Sequence, residues 1–285
     1  MTADDSHESG NGAEWRASLD LRFARRGNET ILAGRSHRGP LRVQKALYPE
    51  GSDLCHAVIL HPPGGIAGGD RLEITLAAEA GAKALITTPG AGKWYRSGGR
   101  PARQRVTVTV APGGALEWLP QETIFFDGAD AGLSMAVKLS NDAVFLGIET
   151  LCLGRLASDE SFDHGQIRLR TTIERDDRLL WSERGRLEGG SAWLHAPAGL
   201  AGYPYCATLL AVSPEIDKSL LVSCREQALQ EKTLNGMTLL PDGLLVARCL
   251  GSGLEPLREW FMKLWAVLRP ALLDRQALMP RLWHT

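Results

Sequence analysis

Gly64-Gly65-Ile66-Ala67-Gly68-Gly69-Asp70 runs directly into Arg71-Leu72-Glu73-Ile74-Thr75-Leu76, and the residues after the glycines decide the fold. A glycine loop that cradles a dinucleotide opens a helix, whose first amides hold the phosphate. Here the chain beyond Asp70 alternates polar and apolar residues with period two, as a half-buried strand does. The glycines therefore read as a tight, close-packed turn, where Gly supplies backbone conformations that other residues resist. Gly90-Ala91-Gly92-Lys93 fails as a phosphate loop as well. A Walker A motif needs Gly five residues before the Gly-Lys pair and Ser or Thr after it, and this chain has Thr87 and Trp94.

Outward from that stretch the period of two persists from about residue 13 to about residue 212. Leu54-Cys55-His56-Ala57-Val58-Ile59-Leu60 is an apolar run of strand length, and Gln104 to Val110 and Gln166 to Ile173 alternate with many β-branched residues. Turn signals at Ala111-Pro112-Gly113-Gly114, Asp127-Gly128-Ala129-Asp130, Asp176-Asp177 and Pro197-Ala198-Gly199 separate the strands and predict antiparallel neighbours rather than βαβ units. No fixed-period repeat marks a regular solenoid. The period changes near Pro214: residues 214 to 232 have helical spacing behind a Ser213-Pro214 start, Leu244 to Leu250 reads as a strand, and Glu255-Pro256 opens a second helix stopped by Pro270. The expected fold is mainly β (α+β), with a layered, β-helix-like or sandwich-like, antiparallel-rich body and two helices near the C-terminus. Residues 1–12 read as a disordered tail and 13–285 as a single domain. Trp260 and Trp265 make the last helix apolar around much of its girth, which suits burial on the chain's own sheet or under a partner.

With 285 residues the chain has ample core-forming material, and its net charge of −1 gives no global attraction to nucleic acid or anionic lipid. The basic stretch from Arg16 to Arg38 is interrupted by Asp20 and Glu29 and reads as a strand with one solvated face. Five scattered cysteines form neither a CxxC pair nor a disulfide framework, and Met1 to Gly12 lacks the regions of a signal peptide. No apolar run spans a bilayer, so a cytoplasmic protein with no membrane or nucleic-acid partner is expected.

Catalytic signatures are missing: there is no GxSxG elbow, no HExxH and no histidine pair at i, i+4. His56 and His61 fall on opposite faces if the strand continues, and His61 before two prolines reads as a turn residue. Asp70, Glu117, Glu122, Asp127, Glu149, Glu160 and Glu183 lie near glycines, and carboxylates of this kind could hold Ni²⁺ weakly. Glu117, Glu122 and Asp127, close in sequence, could instead supply the acid and base of a β-rich hydrolase.

His61-Pro62-Pro63-Gly64-Gly65-Ile66-Ala67-Gly68-Gly69-Asp70, Thr87 to Ser97, Leu116-Glu117-Trp118-Leu119-Pro120-Gln121-Glu122, Leu151-Cys152-Leu153-Gly154-Arg155, Ser182-Glu183-Arg184 and Pro280 to Thr285 together resemble the urease accessory protein family UreD, also called UreH. The likeness runs in order along nearly the whole chain. Gly92 stands where the family usually has Thr or Ser, and Ile148-Glu149 replaces a typical Trp-Glu/Asp pair. The resemblance implies a protein that is not an enzyme: a scaffold that with UreF and the GTPase UreG docks on apo-urease and supports nickel insertion, with no tightly bound cofactor and only transient Ni²⁺. By motif match, Asp70 and Glu183 are the positions to place along an internal metal passage.

Overall fold

The computed structural model describes residues 15–227 and 233–284, so the expected N-terminal tail and the end of the first predicted helix lie outside the described residues. Strands dominate. One sheet has seven strands, in the spatial order Arg178–Glu188, Gln166–Arg175, Asp130–Leu139, Ala102–Val110, Arg71–Ala78, Arg16–Arg26 and Glu29–Arg38. It faces a ten-stranded sheet whose main path runs Thr233–Leu240, Leu244–Gly251, Tyr205–Val212, Val144–Leu153, Ala115–Leu119, Lys83–Thr87, Leu54–Leu60 and Arg42–Val43, with Gly92–Trp94 and Thr123–Phe125 joined off it. The helices are α1 (Ala192–His195), α2 (Lys218–Gln227) and α3 (Leu254–Leu273).

The chain winds between the sheets rather than folding back within one. From Ala102–Val110 it crosses to Ala115–Leu119, returns to Asp130–Leu139, crosses to Val144–Leu153 and returns to Gln166–Arg175. Each arriving strand lies parallel to its predecessor in the same sheet. Of the two expected forms, the β-helix-like one is found, and antiparallel pairs are confined to the flanks, such as Arg178–Glu188 on Gln166–Arg175 and Leu244–Gly251 on Tyr205–Val212. The turn signals do mark where the chain turns, but a corner between sheets and a hairpin within one use the same residues. Ala111 to Gly114 closes with an N–H of Gly114 on the Ala111 carbonyl at 3.0 Å. It stacks on the corner at Gly81, whose N–H donates to Pro112 at 3.0 Å. Corners of unequal length and composition stack this way, which is why no sequence period betrays the solenoid. Asp176-Asp177 is a true hairpin.

Alternation is obeyed strand by strand. In Ala102–Val110, Ala102, Val106, Val108 and Val110 are buried while Arg103, Arg105 and Thr109 face water. Inner-face residues such as Phe23, Leu76, Val108 and Phe145 form the core between the sheets. A second core lies on the far side of the ten-stranded sheet, where Leu209, Leu245 and Cys249 meet α3. Trp260 and Trp265 are 0% exposed there, so the last helix buries its aromatic girth on the chain's own sheet.

Helix ends differ from expectation in instructive ways. Asp217, not Ser213, caps α2: its carboxylate accepts the Leu220 N–H at 2.8 Å. Pro270 lies inside α3 instead of stopping it. One lost hydrogen bond in the last turn is outweighed by burial of Leu272 and Leu273, and Asp274 ends the helix in left-handed conformation with its N–H on the Pro270 carbonyl. α1 is too short to leave a periodic signal.

Candidate functional site

The two sheets part near the glycine-rich segments and enclose a cavity of about 390 Å³. On the seven-stranded side its wall comes from inward residues of consecutive coils, Ile74, Val106, Met135 and Thr171, which share one register row. On the other side the wall is incomplete. Pro120, which has no N–H to give a ladder, ends the strand Ala115–Leu119. Val144–Leu153 pairs with that strand over Val144 to Gly147 and with Thr123–Phe125 over Leu151 to Leu153. Ile148, Glu149 and Thr150 between them have no strand partner on that edge among the described residues. A second cavity of about 330 Å³ lies beneath the N-terminal half of α3, and Pro120, Gln121, Ile148 and Thr150 line both. The sheet is open at this point.

The His61 to Asp70 turn forms one end of the cavity. Asp70 is 9% exposed and closes its own loop: its Oδ2 accepts the Ala67 N–H at 2.8 Å, and its N–H donates to the Ala67 carbonyl at 3.1 Å. The glycines are there for close approach. A Cβ on Gly65 would lie 2.2 Å from the Tyr95 ring, and one on Gly68 would lie 2.0 Å from the Ser97 carbonyl oxygen. His61 lines the cavity; burial pushes its pKa down, while the nearby Asp70 charge works against that.

At the other side, Glu183 occupies the inward face of Arg178–Glu188, opposite Thr171, and forms an ion pair with Arg248 of the facing sheet. Arg248, Thr208 and Glu149 lie in one row across three strands. Glu149 lines the cavity, and burial, helped by the Glu183 charge, raises its pKa to about 7. Cys206, next along this face, is pushed up to about 12 by burial and by Glu149. This end therefore holds one carboxyl near half-protonation at neutral pH and a thiol kept protonated.

Asp70 and Glu183 each sit just behind the lining, beside His61 and Glu149 respectively. The strand that follows Asp70 lies four steps from the strand of Glu183 in one sheet, so at ~4.8 Å per step the two are at least roughly 19 Å apart and cannot share one ion. Among the described residues no group of three or more His, Cys, Asp or Glu is placed to hold a metal. Glu149 does not stand out among the carboxylates of the sequence; its setting depends on Glu183 and Cys206, which only the pairing of distant strands brings near.

The raised Glu149 pKa has a testable sign. A carboxyl titrating at about 7 when folded, against an ordinary 4.5, is a penalty that grows as pH rises through that interval. Glu149→Gln is expected to raise Tm by about 3 °C or more near pH 8 and to leave it nearly unchanged near pH 4.5. Thermal unfolding at both pH values checks this, and an equal shift at both would remove the charge from the explanation.

The three carboxylates of the hydrolase reading do not converge. Glu117 is buried against Arg269 and Trp265, with Trp265 Nε1 donating at 2.7 Å. Glu122 pairs with Arg258 at 3.0 Å. Asp127 accepts the backbone N–H groups of Asp163 and His164 at 3.0 and 2.7 Å. Each holds a separate part of the fold.

Comparison with known proteins agrees with the motif reading. The family model described as "UreD urease accessory protein" matches residues 16–284. Urease accessory protein UreD of Azoarcus sp. (strain BH72) is 52% identical over 271 residues, covering 95% of this chain and 94% of that protein. The UreD of Dechloromonas aromatica (strain RCB) is 50% identical, with 95% of each chain covered, and that of Pseudomonas aeruginosa is 49% identical at the same coverage. Matched along nearly its whole length by the family model and by relatives about half identical to it, this chain belongs to the UreD family of urease accessory proteins.

Proposed function

We propose that the chain serves urease maturation as a non-catalytic cytoplasmic scaffold, which with UreF and UreG docks on apo-urease and passes Ni²⁺ through the cavity between its sheets. The observation that carries the passage is the cavity between the sheets, with His61 and Glu149 in its lining and Asp70 and Glu183 just behind it at separate places rather than gathered. A site that must release its ion needs few ligands at once, and stations at least about 19 Å apart bind Ni²⁺ weakly in turn instead of trapping it. The opening beside Glu149 gives the cavity a second mouth towards α3. No helix among the described residues is long and apolar enough to cross a membrane.

The test must spare the turn that Asp70 closes, so asparagine is the replacement: it keeps an oxygen for the Ala67 N–H and removes the charge. Asp70→Asn and Glu183→Gln are expected to lower the nickel content of co-expressed urease several-fold, measured by metal analysis of the purified enzyme, while the accessory complex still assembles. Full nickel loading with both variants together would sink the passage.

A further inference from the structure

The outward face of the seven-stranded sheet gathers arginines from strands far apart in the chain. Register places Arg16 beside Arg71, Arg71 beside Arg103, and Arg168 beside Arg186, in one row interrupted only by Gly132. The next row reads Arg38, Ser18, Glu73, Arg105, Ser134, Arg170 and Arg184. Most of these side chains are exposed. Some charge is answered within the face: Arg168 pairs with Asp130 at 2.7 Å, and Arg186 lies 3.8 Å from Glu188. Even so, arginines stand directly opposite one another on adjacent strands at four places, Arg16 and Arg71 with further partners of their own, an arrangement that like-charge repulsion disfavours in a sheet. In a chain whose net charge is −1, such a concentration is unexpected from composition alone. A face this rich in arginines, set opposite one another with no gain to the sheet, points to a use outside the fold.

We propose that this face docks a carboxylate-rich surface of a partner protein; the proposal rests on the scaffold reading above, which requires protein partners. The choice of arginine favours planar, two-pronged pairing with carboxylates. Three features single out a protein over other anions. The rows contain no aromatic side chain on which a base could stack or which could enter a lipid interface. Glu73 stands among the arginines and Asp20 lies one row away, and a continuous polyphosphate would meet both, whereas a protein can set cations against them. The face is flat and on the order of 700 Å², close to one partner's share of an ordinary protein interface.

Arg103, Arg105, Arg170 and Arg184 replaced together by threonine, which suits an outward strand position, make the test. The probe is apo-urease with UreF and UreG, titrated with the intact chain at low and at moderate salt; a short DNA duplex and phosphatidylcholine–phosphatidylserine vesicles are run alongside. The expected result is binding weaker by about tenfold or more at low salt, with most of the salt dependence gone, and a Tm equal to or above that of the parent chain. Unchanged affinity and salt dependence in the variant would overturn the docking face and leave the scaffold reading standing. Tighter binding of the parent chain to duplex or vesicles than to the protein probe would overturn it too. Failure of the parent chain to assemble with the protein probe would sink both.

Discussion

Arg269→Ala is expected to lower the unfolding free energy by about 3–5 kcal/mol, a large fraction of what holds an ordinary domain folded. Arg269 is a fully buried guanidinium clamped between two carboxylates. Its Nη2 donates to Glu117 at 3.0 Å and to Glu50 at 2.9 Å, its Nη1 reaches Glu50 at 2.6 Å, and Nη1 also meets the Gln276 carbonyl at 2.6 Å. The ring of Trp265 lies 4.7 Å beneath it, and His56 hydrogen-bonds Glu50 at 2.8 Å. Removing the arginine leaves two buried carboxylates with no cation between them, and the desolvation they suffered is no longer offset. Glu117→Gln in the Arg269→Ala background is expected to recover part of the loss, because it removes the stranded charge. Chemical denaturation of both variants and of Glu117→Gln alone gives the coupling, and additive effects would show that the network is not one unit. Glu50 keeps its share of the network across ordinary pH, whereas burial pushes the Glu117 carboxyl up against the pull of Arg269. Burial pushes the Glu50 carboxyl up, but its hydrogen bonds to His56 and Arg269 outweigh that and hold it at about 2. Its stabilising share is thus present above the usual carboxylate range and is lost only as pH falls towards 2.

Gly68→Ala is expected to cost about 3 kcal/mol, at the upper end of overpacking effects. The added methyl would sit 2.0 Å from the Ser97 carbonyl oxygen, with the Arg100 carbonyl oxygen at 2.9 Å, so it meets backbone on two sides and no side chain can swing away. Ser97 is itself fixed, because its N–H donates to Gly128 and its hydroxyl accepts the Asp130 N–H at 2.7 Å. Relief must come from the turn, which would draw Asp70 and His61 out of line at the cavity. Gly64→Ala provides the contrast: a Cβ there meets nothing within 4 Å, and only its positive φ of 77° resists. Equal Tm losses for the two would show that conformation rather than contact governs the motif.

Legible in the sequence is whatever a single strand or helix carries in itself. The alternation of Gln104 to Val110 gives both the strand and its inward face, and the apolar spacing of Leu257, Phe261, Leu264 and Leu268 gives α3 and its buried side. Gly65 and Gly68 of the His61 to Asp70 turn read correctly as close-packed, while Gly64 serves through its backbone conformation alone. Relations between elements are not legible. Parallel and antiparallel neighbours impose the same period, so the solenoid path is hidden behind turn residues that serve either connection. Glu117 looks like a candidate acid because its partner, Arg269, is 152 residues away. Glu149 is one carboxylate among seven until strand pairing sets Glu183 and Cys206 beside it. The basic segment from Arg16 to Arg38 reads as an ordinary solvated strand, since the arginines that join it come from four other strands.

The span of the Arg269 network also bears on the order in which the molecule is completed during synthesis. Glu50 and Glu117 leave the ribosome long before the residue that neutralises them, 219 and 152 positions later. Until α3 emerges, the edge of the growing ten-stranded sheet must keep these carboxylates hydrated or protonated, and it cannot close over them. The coils can stack as they are made, but the helix-covered layer waits for nearly the last segment. Consolidation of that layer is therefore a late, single event, and a nascent chain stays open on that side until its own C-terminal helix arrives.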